Sequence, residues 1–536
     1  MAKRKMSTFE RLNAGRMNRS QRRELGRRVA ASDPGLTVVH ADAGGIDVGN
    51  ESHFVAVPRD RDANLVREFG CWTESLNQMA EWLKSCRVGT VAMQATGVYW
   101  IALYDILEQH GIRVALVNAQ HTKNVPGRKT DVQECQWLMK LHTYGLVRDS
   151  FRLQQDMEYA RTIWRLRDRH VKDAGREIQH MQKALTKMNI QLANVISDIS
   201  GTSGQAIIAA VLKGERDPYK LADLADYRVK ASREEVARSL EGNWRAEVLF
   251  ELQQAVDSYR FAHRQMQECD EKLALYLANL PTRTLDMPAP PNPAPETAVQ
   301  RRKKARKPRD NEPRMDLKVE LKRICGVDLT SIDGINVMTA FTVISEVGTD
   351  MSGFQNEDHF ASWMGLAPSK DISGGKTVGR GKKKVKNRVA VALRTAATSL
   401  LESDTHLGAR YRHLRRQLPT FKAAVKAMAR YLAVLIFRLL TRGEAWVDRG
   451  AEQFERRRQE RELANLNSKA TARGYRLIPI AETLLKPIAD HGQIRRAAER
   501  LSPKCAQPRR EQSLFSLCTT LRTPKKSKNQ PRSPRT

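Results

Sequence analysis

No run of this chain is long and apolar enough to cross a bilayer. The best candidate, AVLIFRLL at 433–440, is short and interrupted by Arg438, whereas a spanning helix needs about 20 apolar residues. The opening stretch, MAKRKMSTFERLNAGRMNRSQRRELGRR, lacks the apolar centre of a secretory signal and reads as a basic arm. The seven cysteines, at 71, 86, 135, 269, 325, 505 and 518, form no Cys-x-x-Cys pair. That spacing argues against structural zinc and against a disulfide framework, and a reducing cytoplasm fits it. Acid is scarce too: 60 Asp and Glu stand against 92 Lys and Arg, a formal charge of +32. Such an excess calls for a polyanionic partner, nucleic acid first. The 536 residues exceed one ordinary domain, so about two to four are expected.

Residues 40–150 alternate between strand and helix patterns. Strands are expected at about 44–50, 52–58, 64–69, 90–95 and 112–118. Helices are expected at 73–86, with Trp72, Leu76, Met79 and Leu83 on one face, and at 99–109. Three strands with tight links, then alternation, predict a mixed sheet covered by helices. From 155 to about 285 long charged helices follow, the second running from 233 to 279, and the pattern suits a helical hairpin, a coiled-coil arm or an ordinary bundle. Residues 280–314 are rich in proline and base and read as a linker. A further domain begins near Leu317 and continues in helices to about 467; the end is a basic, disordered tail. The boundaries are 1–37 for the basic arm, 38–152 for the α/β domain, 153–285 for the helical arm, 286–316 for the linker, 317–467 for a mainly α C-terminal domain and 468–536 for the tail.

Against this basic background a few acids stand out. Asp47 lies inside GGIDVGNESHFVAV, a glycine-flanked strand, and Asp131 and Glu134 share a helix face in GRKTDVQECQWL. Carboxylates converging from separate elements can hold divalent cations, and two such ions about 4 Å apart can activate an attacking group and stabilise a leaving oxygen in phosphodiester chemistry. Asp42 and Glu51 are weaker candidates nearby. Each acid also has a plain structural reading. Asp47 suits a turn or strand edge beside Gly44, Gly45 and Gly49; Thr130 or Asp131 suits a helix cap; and Asp131 to Glu134 has the spacing of a capping box. Arg128 and Lys129 suit a phosphate contact or a solvated surface.

Five segments carry a resemblance: GIDVG (45–49), AMQATGVYW (92–100), VNAQHTKNVPGRKTDVQECQW (117–137), LHTYGLVRDSF (141–151) and HMQKALTKMNIQLANVISDISG (180–201). Together they resemble the IS110-family transposases, in particular the IS1111 group, over most of residues 38–460. The resemblance implies a RuvC-like domain of RNase H fold bearing an Asp-Glu-Asp-Asp set, joined to a C-terminal transposase domain with a nucleophilic serine. It further implies site-specific DNA recombination that excises and inserts a mobile element, steered by a structured RNA. Carried onto this chain, the set is Asp47, Gln94, Asp131 and Glu134. Glutamine coordinates through its carbonyl oxygen but brings no charge, and glutamate is one methylene longer than aspartate. The implied cofactor is Mg²⁺, one ion or two, with Mn²⁺ as a substitute. The implied partners are double-stranded DNA at element ends and target, the guide RNA, and further copies of the chain in a homodimer or homotetramer.

Downstream, LTSIDGINVMTAFTVISEVG suggests a helix-hairpin-helix with its turn at Gly334, whose amides would contact a phosphate. GLAPSKDISGGKTVGRGKKKVKNR places Ser369 and Ser373 in a glycine-rich loop ahead of Lys376, Arg380, Lys382, Lys383, Lys384, Lys386 and Arg388. A serine hydroxyl needs such a positive field to act as a nucleophile. The resemblance places the catalytic serine in this stretch, at Ser373 with Ser369 in reserve. The basic runs at 299–309 and 521–536 suit nonspecific polyanion contacts. Two other readings remain open. One is an RNase H-fold metal-dependent nuclease or junction resolvase without serine chemistry; the other is a non-catalytic nucleic-acid-binding relative, favoured by Gln94.

Overall fold

The structure, a computed structural model, describes residues 19–30, 35–95, 97–118, 130–147, 149–284, 311–368, 371–373, 376–379, 387–443 and 450–477. After helix α1 (Arg19–Ala30) come strands β1 (Ala43–Val48), β2 (Ser52–Ala56) and β3 (Val66–Gly70), helix α2 (Thr73–Ser85), β4 (Thr90–Gln94), α3 (Trp100–Gln109), β5 (Arg113–Val117) and α4 (Asp131–Thr143). The strands form one sheet in the order β3-β2-β1-β4-β5. β1 runs antiparallel to β2 and parallel to β4, β2 runs antiparallel to β3, and β4 is parallel to β5. This is the mixed α/β sheet expected of an RNase H-like domain, and each strand lies within a few residues of its expected place.

Side chains alternate across a strand, and here the alternation sorts them by size. Ile46, Val48, Val91 and Met93 face α2 and α3 and join Leu76, Met79, Leu83, Leu103 and Leu107 in a core. The opposite face is built of small residues, with Ala92, Ala115 and Val117 packed on Leu138 of α4. Trp72 corrects the expected helix face. It precedes α2 and is exposed, while Trp82 takes the buried position, its indole N–H donating to Asp62 at 2.8 Å.

Helix α5 (Gln155–Lys187) leads to four short helices, α6 (Leu192–Val195), α7 (Thr202–Leu212), α8 (Pro218–Ala222) and α9 (Arg233–Ser239), and then to α10 (Ala246–Ala278). α5 and α10 lie antiparallel. Lys187 meets Glu251 at 2.6 Å near one end, and the Tyr276 hydroxyl donates to the Asp156 carbonyl at 2.5 Å near the other. The continuous helix expected over 233–279 is broken between Leu240 and Arg245. There the chain docks on the end of α5, Asn243 N–H donating to Met188 O at 2.8 Å. The short helices share a core with the far halves of the two long ones, including Met181, Ile207, Leu240 and Leu252.

The C-terminal helices are α11 (Leu317–Cys325), α12 (Val337–Val347), α13 (Glu357–Trp363), α14 (Arg388–Ser399), α15 (His406–Gln417), α16 (Phe421–Arg442) and α17 (Gly450–Thr471). A hairpin of β6 (Asp371–Ser373) and β7 (Lys376–Gly379) lies between α13 and α14. Their core takes in the near ends of the long pair: Met157, Trp164, Leu273 and Leu277 pack with Phe341, Ile344, Leu393 and Leu432. The helical arm expected over 153–285 is therefore rooted in the C-terminal core. Gly334 adopts φ +82°, and a Cβ there would come within 3.0 Å of the Ala396 carbonyl. The glycine lets the turn before α12 sit against α14, and this packing explains the residue without a phosphate. Contacts divide the chain into residues 1–455 and 456–536; the described part of the second is the end of α17, with no buried residue. No helix among the described residues is long and apolar enough to cross a membrane.

Candidate active site

The small-residue face of the sheet decides where the acids meet. Gly45 and Asp47 point to the same side of β1, toward α4. A Cβ on Gly45 would collide with the Cys135 carbonyl and the Met139 backbone, so the helix rests directly on the strand at this glycine. Asp131 and Glu134, in the first turn of α4, are thereby carried over Asp47. Gln94 is the last residue of β4, on the same side, and its side chain is buried.

Burial and the carboxylates of Glu134 and then Asp131 push the Asp47 carboxyl up from 3.8 to about 6, against the lowering effect of the Val48 N–H. The three acids therefore share one electrostatic neighbourhood although they are far apart in sequence. The capping reading of Asp131 gives way. Thr130 is the cap, its side chain accepting from Gln133 N at 3.3 Å, and Asp131 is the first helical residue. The Gln94 amide N–H donates to Glu134 Oε1, a contact across 40 residues that the sequence did not announce. Beneath them Cys135 is buried and its thiol is pushed up to about 12, chiefly by burial, which removes it as a nucleophile.

A cleft of about 340 Å³ opens at this point, lined by Asp47, Val48, Gly49, Asn50, Glu51, Ser52, Phe54 and Asp131. Glu51 thus belongs to the cleft wall. Asp42 does not: it precedes β1 at the strand's other end, where its carbonyl accepts from Gly89 N. Among the described residues no three His, Cys, Asp or Glu side chains stand close enough to grip one ion together. By donor type, carboxylates with an amide beside them suit a hard divalent cation.

Ser373 ends β6 and pairs with Lys376 of β7. The stretch expected as a loop thus holds two short antiparallel strands. The side chains of Ser373 and Lys376 lie outside the described residues, as do Ser369, Arg128, Lys129, Arg380, Lys382, Lys383, Lys384 and Lys386. Arg388 is described and is engaged: it pairs with Asp168 at 2.8 Å and lies 3.9 Å from Glu346, which Arg165 also holds. Its expected phosphate contact has to compete with these bonds.

Two stretches of the chain match families of known proteins. Residues 44–190, from β1 through α5, match the DEDD domain of IS110 transposases, described as a transposase domain. Residues 328–412, which include Gly334 and Ser373, match the transposase IS116/IS110/IS902 family. No curated protein matches the chain.

Proposed function

Because the chain belongs to the IS110-family transposases, carrying the two domains in order, we propose that it excises and inserts a mobile DNA element by serine-mediated phosphoryl transfer assisted by a divalent cation and guided by a structured RNA. The observation that carries this reading is that Asp47 and Asp131 line one cleft within the matched DEDD domain, with Glu134 close enough to act on the charge of Asp47.

Asp47, Asp131 and Glu134, with Gln94 beside them, would hold the cation. When bound, Mg²⁺ or Mn²⁺ supplies charge stabilisation to the phosphate oxygens and to the leaving oxygen. The Ser373 Oγ attacks a DNA phosphorus and loses its proton; the bond from phosphorus to the 3′ oxygen breaks, and that oxygen leaves as a 3′ hydroxyl. A 3′ hydroxyl from the partner strand then attacks the phosphoserine, releasing the serine and resealing DNA with no net loss of phosphodiester bonds. The cations at 376–388 suit the charge that develops on the phosphate. Assembly from more than one subunit, as a homodimer or homotetramer, would bring the acidic cleft and the serine of different copies onto one DNA site.

The test is to incubate the full chain with boundary DNA, RNA from the element's flank and Mg²⁺, and to look for an SDS-stable protein–DNA adduct. The expected adduct maps to Ser373 and vanishes in Ser373→Ala. Cutting that survives Ser373→Ala without an adduct would instead identify a metal-dependent nuclease. No cutting in either form would leave a nucleic-acid-binding relative.

A further inference from the structure

Phe54 stands directly across from Asp47 in the β1–β2 ladder, and Glu68 of β3 stands across from Phe54. Paired residues share one face of a sheet, so these three side chains form a row on the side that carries α4. The neighbours of Phe54 along β2 turn the other way. His53 and Val55 are buried, and Val55 joins the core under α2 and α3. Phe69 of β3 faces that side too and packs on Trp82, ring centroids 5.5 Å apart. Phe54 is different. It is half-buried, it lines the cleft with Asp47 and Asp131, and it belongs to none of the hydrophobic clusters of the described residues. Glu68 beside it is exposed and accepts from Ser52 Oγ at 2.5 Å, so the sheet face is open here.

An aromatic ring left at the wall of a cleft suits a flat, apolar partner. The acids around it decide which. Asp47, Glu51 and Asp131 line the same cleft, and Glu68 flanks the ring, so a phosphate laid on Phe54 itself would meet carboxylates. A nucleobase offers an uncharged π-face, and stacking on an aromatic side chain tolerates every base. In a duplex that face is covered by the next base pair, and only base edges reach the grooves. A base has to leave its stack to meet the ring.

We infer that Phe54 is a binding residue that stacks on an unpaired nucleobase of the DNA strand entering the cleft. The inference rests on the reading of the cleft as the site of DNA chemistry, and it makes the substrate there an opened strand and not intact duplex.

The test uses the full chain and boundary-strand oligonucleotides carrying 2-aminopurine, a base analogue whose fluorescence reports stacking, at each position in turn. Salt is set high enough to suppress nonspecific phosphate contacts. In wild type, one position should respond on binding of the single strand and not of the matched duplex. Phe54→Leu keeps an apolar side chain and loses the flat ring. It should lose the response and bind the single strand about 5- to 150-fold more weakly, the range for loss of a base–aromatic stack. Phe54→Trp should restore both. An abasic nucleotide at the responding position should weaken wild-type binding by a similar factor, a measurement that stands even if Phe54→Leu fails to fold, and should erase the difference between wild type and Phe54→Leu. Binding with no responding position, a response that survives Phe54→Leu, or wild-type affinity indifferent to the abasic nucleotide would overturn the inference. So would a Phe54→Leu defect that persists against the abasic strand, which would assign the ring to the sugar or to the cleft wall. A wild-type chain that binds no boundary strand at all would overturn the DNA reading itself, a result separate from any difference among variants.

Discussion

The Cys135 carbonyl of α4 lies against the Cα of Gly45 in β1, with no room for a methyl group between them. This contact sets the height of α4 above the sheet and hence the reach of Asp131 and Glu134 toward Asp47. Gly45→Ala forces helix and strand apart. Overpacking of this kind costs about 1–3 kcal/mol, and a shift of about 1 Å at a reacting centre can cost about 100-fold in rate. The expected outcome is a lowered melting temperature together with a larger loss of strand-exchange activity than the stability change accounts for. Full activity in a stably folded Gly45→Ala would show that the spacing of α4 is not what builds the site.

Asp47 gives the site a pH signature. Its carboxyl is raised in the folded protein from 3.8 to about 6, first by burial and then by Glu134 and Asp131. The native state therefore holds this proton more tightly than the unfolded chain does. By linkage, the contribution of Asp47 to stability is fully present below about pH 4 and is lost as pH rises toward 6. Asp47→Asn stays uncharged throughout. In EDTA, the melting temperature of Asp47→Asn relative to wild type should rise between pH 4 and 6 and level off above, and Mn²⁺ should reverse the difference by stabilising only the wild type. A difference that is flat from pH 4 to 7 would show that the Asp47 carboxyl is not raised in the folded protein.

These two residues show how legible the site was. Asp131 and Glu134 stood out by their spacing on one helix face, Asp47 by its glycine-flanked strand, and all three by the family resemblance. What joins them was not legible. Gly45 looked like one glycine of three, since its partner lies 90 residues on, and the Gln94 hydrogen bond to Glu134 depends on β4 and α4 meeting. The same limit explains Trp72, which fits a helical period but falls before the helix begins. The 233–279 segment is different: Gly242 and Asn243 are weak helix formers that marked the break in the sequence, and Gly242 packs closely on the Met188 carbonyl.

The long helices are pinned by Arg167 and Asp270, a buried pair with Nε to Oδ1 at 2.5 Å and Nη2 to Oδ2 at 3.1 Å. A third guanidinium nitrogen of Arg167 donates to the Asn311 carbonyl at 3.1 Å and ties in the chain where the C-terminal helices begin. Removing one partner of a buried pair strands the other charge, at a cost of about 3–5 kcal/mol. Arg167→Met is therefore expected to lower the denaturant midpoint strongly. Arg167→Met combined with Asp270→Leu should recover much of the loss, because two apolar side chains leave no charge unpaired. Equal destabilisation in the single and double variants would mean that packing around Asn311, and not the ion pair, carries the effect.

Arg388 is held by acidic side chains, and salt dependence can read whether it also meets DNA. A lysine that neutralises a DNA phosphate releases a counterion, and each such contact contributes about 0.9 to the slope of log affinity against log salt. Arg388 already serves Asp168 and lies near Glu346, so moving it to DNA would give up both contacts, leaving Asp168 to Lys172 and Glu346 to Arg165. Arg388→Ala should accordingly lower the melting temperature while leaving the salt slope for boundary DNA nearly unchanged. Lys382→Ala and Lys383→Ala should each reduce the slope by about 0.9 with little change in melting, as expected of side chains that meet phosphate. A drop of that size in Arg388→Ala would mean that DNA displaces the two carboxylates, and the ion pairs at α14 would then be a resting arrangement that substrate breaks.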